Sequence, residues 1–280
     1  MAVTLLLAAG GLGAGVFGAL LGLGGGILIV PLLTLAFGLP FREAVAISLL
    51  AVITTSSASA AVYLERGVAN LRLGMTLELL TATGALAGGL LAFILDERLL
   101  AGIFAAMLVY VAVSMARRRE AGIDERPPDL VVDPTADASP PANGFAATLG
   151  GPGYAIRRLP LGLALSAFAG LQSALLGVGG GIVKVPAMHL AMGVPLRVAT
   201  ATSNLTIGVT ASASAVLYLL RDALDPYVAG PVVVGVFVGA TAAARIAHRV
   251  PLRVLRLLFM VVLVYVAVQM AGRAFGVVLG

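Results

Sequence analysis

A glycine-broken apolar segment is written twice in this chain, and that repetition limits the fold more than any other feature. The first copy, GLGGGILIVP, runs from Gly22 to Pro31, and the second, GVGGGIVKVP, runs from Gly177 to Pro186. A displacement of 155 residues aligns Ala19–Arg66 with Ala174–Arg221 without a gap, and 27 of those 48 positions are identical. Pro31/Pro186, Pro40/Pro195, Arg42/Arg197 and Ser48/Ser203 all fall in register, which shared hydrophobicity alone cannot arrange. The chain is an internal duplication.

Composition identifies the solvent. Of 280 residues, 60% are hydrophobic and 11% charged, and the mean hydropathy is +1.07. A soluble domain carries roughly a quarter charged residues. The expected fold class is therefore an all-α polytopic membrane protein. With no cysteine and only His189 and His248, no metal site, disulfide or cofactor is expected. The net charge of +5 reflects arginines gathered in a few loops, as the positive-inside rule predicts, and not a nucleic-acid partner. The N-terminal MAVTLLLAAGGLGAG resembles the core of a signal peptide, but it lacks a basic flank and its apolar run continues to Phe41, so it reads as mature protein.

Each half offers four apolar segments: about 3–37, 44–64, 73–95 and 99–116, then about 159–194, 198–220, 226–244 and 250–272. The last three of each half are ordinary spans of roughly 20 residues. The first is too long for one crossing, too short for two, and broken near its middle. The expected organisation is a first membrane repeat over 1–116, a flexible cytoplasmic linker over 117–157 rich in proline and acids, and a second repeat over 158–280.

Two topologies follow. Four crossings per half make the repeats parallel; a segment that dips in and returns leaves three crossings and makes them inverted. Arg117–Arg119 and Arg157–Arg158 place the linker inside, and the loop holding Arg245, His248, Arg249, Arg253 and Arg256 joins it there only with three crossings. Inverted-topology repeats, each a re-entrant broken helix followed by three transmembrane helices, fit the charges better.

The glycines invite a phosphate-binding reading, which fails: in GVGGGIVK no serine or threonine follows Lys184 and no strand precedes the run. Close helix packing explains a single glycine. Triple glycine, a half-helix of about ten residues and then Val-Pro describe instead a helix that stops and restarts within the membrane. Such backbone survives only against protein or a water-filled cavity. The restarted half-helices, beginning near Ile27 and Ile182, aim their N-termini at the break, where free N–H groups and the helix dipole favour an anion. Gly24, Gly25, Gly26, Gly179, Gly180 and Gly181 are the expected backbone ligands.

The following helices, SLLAVITTSSASAAVY and TATSNLTIGVTASAS, are rich in hydroxyls. A single membrane Ser or Thr most often bonds back to its own helix. The register-matched Ser48 and Ser203, with Asn204 beside the second, stand out as substrate-binding candidates. Lys184 is the sole lysine, and its counterpart is Ile29. It reads either as a substrate contact or as one half of an ion pair with Glu78, itself a candidate proton carrier. His189 reads as a hydrogen-bonded interior histidine, and Arg42 and Arg197 as anchors of helix ends.

The paired motif, each copy followed by Gly-x-Pro-x-Arg and a Ser/Thr-rich helix, resembles the TauE/SafE family of sulfite and organosulfonate permeases. The resemblance covers both halves apart from the linker. It implies a secondary transporter for a small sulfur-containing anion such as sulfite or sulfoacetate, multi-pass in the cell's inner (plasma) membrane. The partners expected are the anion, the bilayer and a second copy of the chain. An anion channel on the same scaffold, or a transporter of a non-sulfur anion, is the alternative. An enzyme is disfavoured, because the spans offer no paired carboxylates, cysteine nucleophile or histidine cluster.

Overall fold

The computed structural model describes residues 2–21, 24–65, 67–120, 145–151, 153–246 and 252–275. Gly22 and Leu23 of the first break, most of the expected linker (121–144) and the basic loop 247–251 lie outside the described residues. The described chain is helical: α1 (Ala2–Leu21), α2 (Gly26–Pro31), α3 (Phe41–Glu65), α4 (Leu71–Ile94), α5 (Glu97–Glu120), α6 (Phe145–Thr148), α7 (Leu159–Leu176), α8 (Gly181–Pro186), α9 (Leu196–Leu220), α10 (Pro226–Ile246) and α11 (Leu252–Ala274). Among the described residues seven helices are long and apolar enough to cross a bilayer. The protein is an all-α polytopic membrane protein.

Local chemistry sets the ends of these helices. Asn70 caps α4 by accepting the Leu73 N–H at 3.0 Å. Gly177, at φ 70°, stops α7 in the left-handed conformation and returns its N–H to the Ser173 carbonyl at 2.8 Å. α2 and α8 each run into a proline and continue as one π-helical turn, Leu32–Ala36 and Ala187–Ala191. Proline has no N–H for the α-helical ladder, and the wider turn absorbs the missing bond.

Each broken segment folds back on itself. Gly18 of α1 lies against Gly25, and Gly10 against Leu32, so the helix after the first break runs back along α1. In the second half Gly180 lies against Ala169 and Ser173, and Gly162 against Met192, so α8 returns along α7.

The halves are knitted together instead of standing side by side. α1 packs on α10, α4 on α7, α3 on α9 and α5 on α11. Gly11 meets Val232 and Gly15 meets Val236, so α1 and α10 run in the same direction. Gly84 meets Ala167 and Gly88 meets Leu171, so α4 and α7 do likewise. Gly84–Ala167 becomes Gly239–Leu12 under the 155-residue displacement, and that contact is also present. At these crossings the missing Cβ lets backbones touch, which is how helices associate where lipid leaves no hydrophobic drive.

The described end of the linker region is docked. Leu149 and Ile156 are buried with Leu73, Leu77, Met188 and Met192. Asn70 Nδ2 donates to the Leu149 carbonyl and to the Tyr154 hydroxyl, both at 2.8 Å. Burial raises the Tyr154 pKa above its usual value, with the Asn70 contact opposing it.

Candidate functional site

The breaks are built from glycines that no other residue replaces without strain. Gly24 and Gly25 sit at φ 74° and 75°, and Gly179 and Gly180 at 81° and 73°, in the left-handed region. Helical bonding resumes only where Leu28 and Ile29 bond back to the Gly25 carbonyl, and Val183 and Lys184 to that of Gly180. The N–H groups of Gly26, Ile27, Gly181 and Ile182 therefore precede the ladder.

The two breaks meet. A Cβ on Gly26 would strike the Gly177 carbonyl and Val178, and one on Gly179 would strike both Val52 and Ile207. Ser48 Oγ lies 2.7 Å from the Gly177 carbonyl oxygen and 3.3 Å from that of Gly26, bridging the halves. Thr55 also ties down the first break, donating to the Gly24 carbonyl at 3.0 Å.

Ser203 is the repeat partner of Ser48 but behaves differently. It is 0% exposed, lies beside Gly181, and its hydroxyl has no hydrogen-bond partner. A buried hydroxyl left unsatisfied is costly, and such groups mark places where something else binds. Asn204 is buried next to it, and its backbone carbonyl accepts the Ser56 hydroxyl at 2.7 Å. Ser173 on α7 was not marked out by the sequence reading. It is buried, unpartnered and packed against Gly180. The available signal was a serine standing where the first repeat has Gly18.

Lys184 points from α8 toward α4 and α9. Its Nζ pairs with the Glu78 carboxylate and donates to Thr206 Oγ1 at 2.9 Å. The other Glu78 oxygen accepts from the Thr210 hydroxyl. Lys184 is 0% and Glu78 6% exposed. Of the two roles the sequence left open for Lys184, this conformation displays the ion pair. At the equivalent positions of the other half stand Ile29, Val233 and Ala51, so the charged cluster occurs once.

The remaining polar residues hold structure. His189 Nδ1 lies 2.9 Å from the Val194 carbonyl oxygen. Arg42 donates to the Ala92 and Leu95 carbonyls at 3.0 and 2.8 Å, tying α3 to the C-terminal end of α4. Among the described residues no group of His, Cys, Asp and Glu could hold a metal ion.

Residues 7–270 match the family described as Sulfite exporter TauE/SafE. The chain is also similar to a protein of Bacillus subtilis (strain 168), "Probable membrane transporter protein YunE", at 25% identity over 268 residues, covering 93% of this chain and 94% of the relative. No solved structure matches.

Proposed function

Because the chain belongs to the sulfite exporter TauE/SafE family, we propose that it is a secondary transporter of a small sulfur-containing anion: sulfite, sulfoacetate or another organosulfonate. It works in the cell's inner membrane by alternating access, with protons as the coupling ion and a second copy of the chain as its protein partner. The anion sits where the glycine breaks meet. Gly24–Gly26 and Gly179–Gly181 offer backbone N–H groups, Ser48, Ser203 and Asn204 polar side chains, and Lys184 a charge. Glu78 carries the proton. The observation that carries this reading is Ser203, a fully buried hydroxyl with no partner beside Gly181. An anion's oxygen supplies the acceptor it lacks.

A thermal-shift screen of purified protein with sulfite, thiosulfate, sulfonates, sulfate and carboxylates tests the substrate class. Sulfite or a sulfonate is expected to raise the melting temperature, and Ser203→Ala to weaken that ligand about tenfold, the loss of one charge-assisted hydrogen bond. A protein that no anion stabilises, in a screen where the apo form melts cooperatively, ends the reading.

The direction of the helices supports an inverted arrangement. α2 returns along α1 and α8 along α7, while α1 runs with α10 and α4 with α7. With each broken segment re-entrant, the loop between α4 and α5 shares the outer face with the start of α10, opposite the linker. The chain has no cysteine, so single replacements report cleanly. Asp96→Cys and Tyr227→Cys are expected to react with an impermeant thiol reagent from the outside, and Phe145→Cys only from the cytoplasm. Four crossings per half would put Asp96 and Tyr227 on opposite faces, and that labelling pattern would refute the inversion.

A further inference from the structure

We propose that Glu78 occupies, in the empty transporter, the place of the substrate's charge at Lys184, so that one monoanion enters for each proton Glu78 takes up. The inference rests on the transporter reading above and adds its stoichiometry and the charge of its substrate.

The argument begins with the burial of Lys184. The residue is 0% exposed, and its ammonium is offset by one carboxylate, Glu78. Glu78 lies on α4, which packs on α7 and α9, and α8 reaches it through Lys184. From α8 comes Lys184, and from α9 the hydroxyls of Thr206 and Thr210. His189, on the turn after α8, is turned to the Val194 carbonyl. The arginines near these elements, Arg157, Arg158, Arg197 and Arg221, flank the ends of α7 and α9. Among the described residues no other acid approaches the cluster.

A buried charge stripped of its partner is suppressed by about a hundredfold or more. Lys184 with no anion, and Lys184 facing both Glu78 and a substrate anion, are therefore both rare. Two states remain: lysine with the Glu78 carboxylate, and lysine with substrate while Glu78 is protonated. In the second, a proton sits on a Glu78 oxygen, Lys184 stays an ammonium, and its N–H donates to an oxygen of the anion. The only bond made is the Glu78 O–H, formed with a proton drawn from water as the anion arrives and broken again, with that proton returned to water, when the anion leaves. The place for the anion is marked independently by Ser203, which lies one helical turn before Thr206 on α9 and against Gly181, and whose hydroxyl is unpartnered.

Duplication makes the exchange single. Ile29, Val233 and Ala51 stand where the other half would need Lys184, Glu78 and Thr206. One swap site gives one proton per anion and no net charge movement. It also narrows the substrate to a singly charged one, such as hydrogensulfite or an alkylsulfonate, and sets aside sulfoacetate, whose sulfonate and carboxylate are both ionised at neutral pH. A dianion would leave an uncompensated negative charge beside a single ammonium.

The test uses the full chain in liposomes loaded with a pH dye, with the membrane potential clamped by potassium and valinomycin, and protein-free vesicles as control. An inward methanesulfonate gradient is expected to drive proton uptake at a ratio of one, unchanged by potential, and an equal sulfate gradient to drive at least tenfold less. Methanesulfonate flux that follows the potential, or sulfate carried equally well, overturns the swap and leaves the transporter reading standing. Absence of flux with methanesulfonate and hydrogensulfite, together with no thermal stabilisation by either, sinks both. Glu78→Gln supplies a second readout. Its lysine has only the substrate as counter-ion, so methanesulfonate is expected to stabilise it more than wild type and to exchange across the membrane without proton movement. A Glu78→Gln protein that still moves protons with the anion also overturns the swap. If that variant does not fold, the wild-type ratio and potential dependence decide.

Discussion

Lys184→Ala is expected to lose about 3–5 kcal/mol of stability, because it leaves the Glu78 carboxylate buried without its counter-charge. The loss should be far larger than the removed methylenes explain, and a double replacement separates the two effects. Lys184→Met with Glu78→Gln removes both charges while keeping similar volumes; Thr206 keeps its helical acceptors, and the new amide oxygen accepts from Thr210 where the carboxylate did. The Thr206 hydroxyl already donates to the Thr202 carbonyl at 3.2 Å and accepts from Lys184, so losing the lysine leaves its own donated bond in place. Most of the stability is expected to return in the double variant. Melting curves in detergent for wild type, Lys184→Met, Glu78→Gln and the double variant measure the coupling directly. A double variant as unstable as Lys184→Ala would mean that the pair is not what the lysine contributes. Anion-driven proton flux should be absent from the double variant even where its fold is restored.

Gly170→Leu is the second large effect. A Cβ at Gly170 would strike the Thr81 carbonyl of α4, and one at Gly84 would strike the Ala167 carbonyl of α7. Both obstacles are backbone, so no rotamer change relieves them and the two helices must separate. Separation also disturbs Glu78, one turn before Thr81 on α4, and Ser173, one turn past Gly170 on α7. A cost of about 3 kcal/mol or more is expected, seen as loss of a monodisperse peak after extraction. Gly230→Leu is the control, since nothing lies within 4 Å of its Cβ direction. It should change stability by less than about 0.5 kcal/mol. Equal damage from both would show that leucine at any glycine is harmful and that the α4–α7 crossing is not special.

The broken segments were legible because their residues have no second explanation. Triple glycine followed by a short apolar run and Val-Pro placed the restarts near 27 and 182, and α2 and α8 begin at Gly26 and Gly181. The Lys184–Glu78 pair was legible as one of two roles, because each is a charge isolated in an apolar span. The π-helical turns after Pro31 and Pro186 were not foreseen, since the missing N–H says that a ladder must change but not how. Partner choice among the helices was hidden for a different reason. In lipid both faces of a span are apolar, so no stripe marks the protein-facing side, and Gly84 and Gly88 announce a close crossing without naming α7 as the partner. The docking of Leu149 and Ile156 escaped because they are isolated apolar residues with no helical period. The difference between Ser48 and Ser203 lay beyond any repeat alignment. Identical residues in register acquire different surroundings: Ser48 donates to the Gly177 carbonyl, and the Ser203 hydroxyl has no partner.

The pairing of α1 with α10 has a consequence for the order in which the protein is made. Gly11 rests on Val232, about 220 residues later in the chain. At a synthesis rate of about 5–20 residues per second, the first helix waits about 10–40 s before its partner leaves the ribosome. During that interval the glycine-lined face of α1 is met only by its own returning segment and by helices that will settle elsewhere. α4 finds α7 sooner, because Gly84 and Ala167 are much closer in sequence. Assembly between the halves therefore begins around the second glycine break and its charged pair, and the first hairpin is locked only when α10 arrives, with α11 still to close on α5.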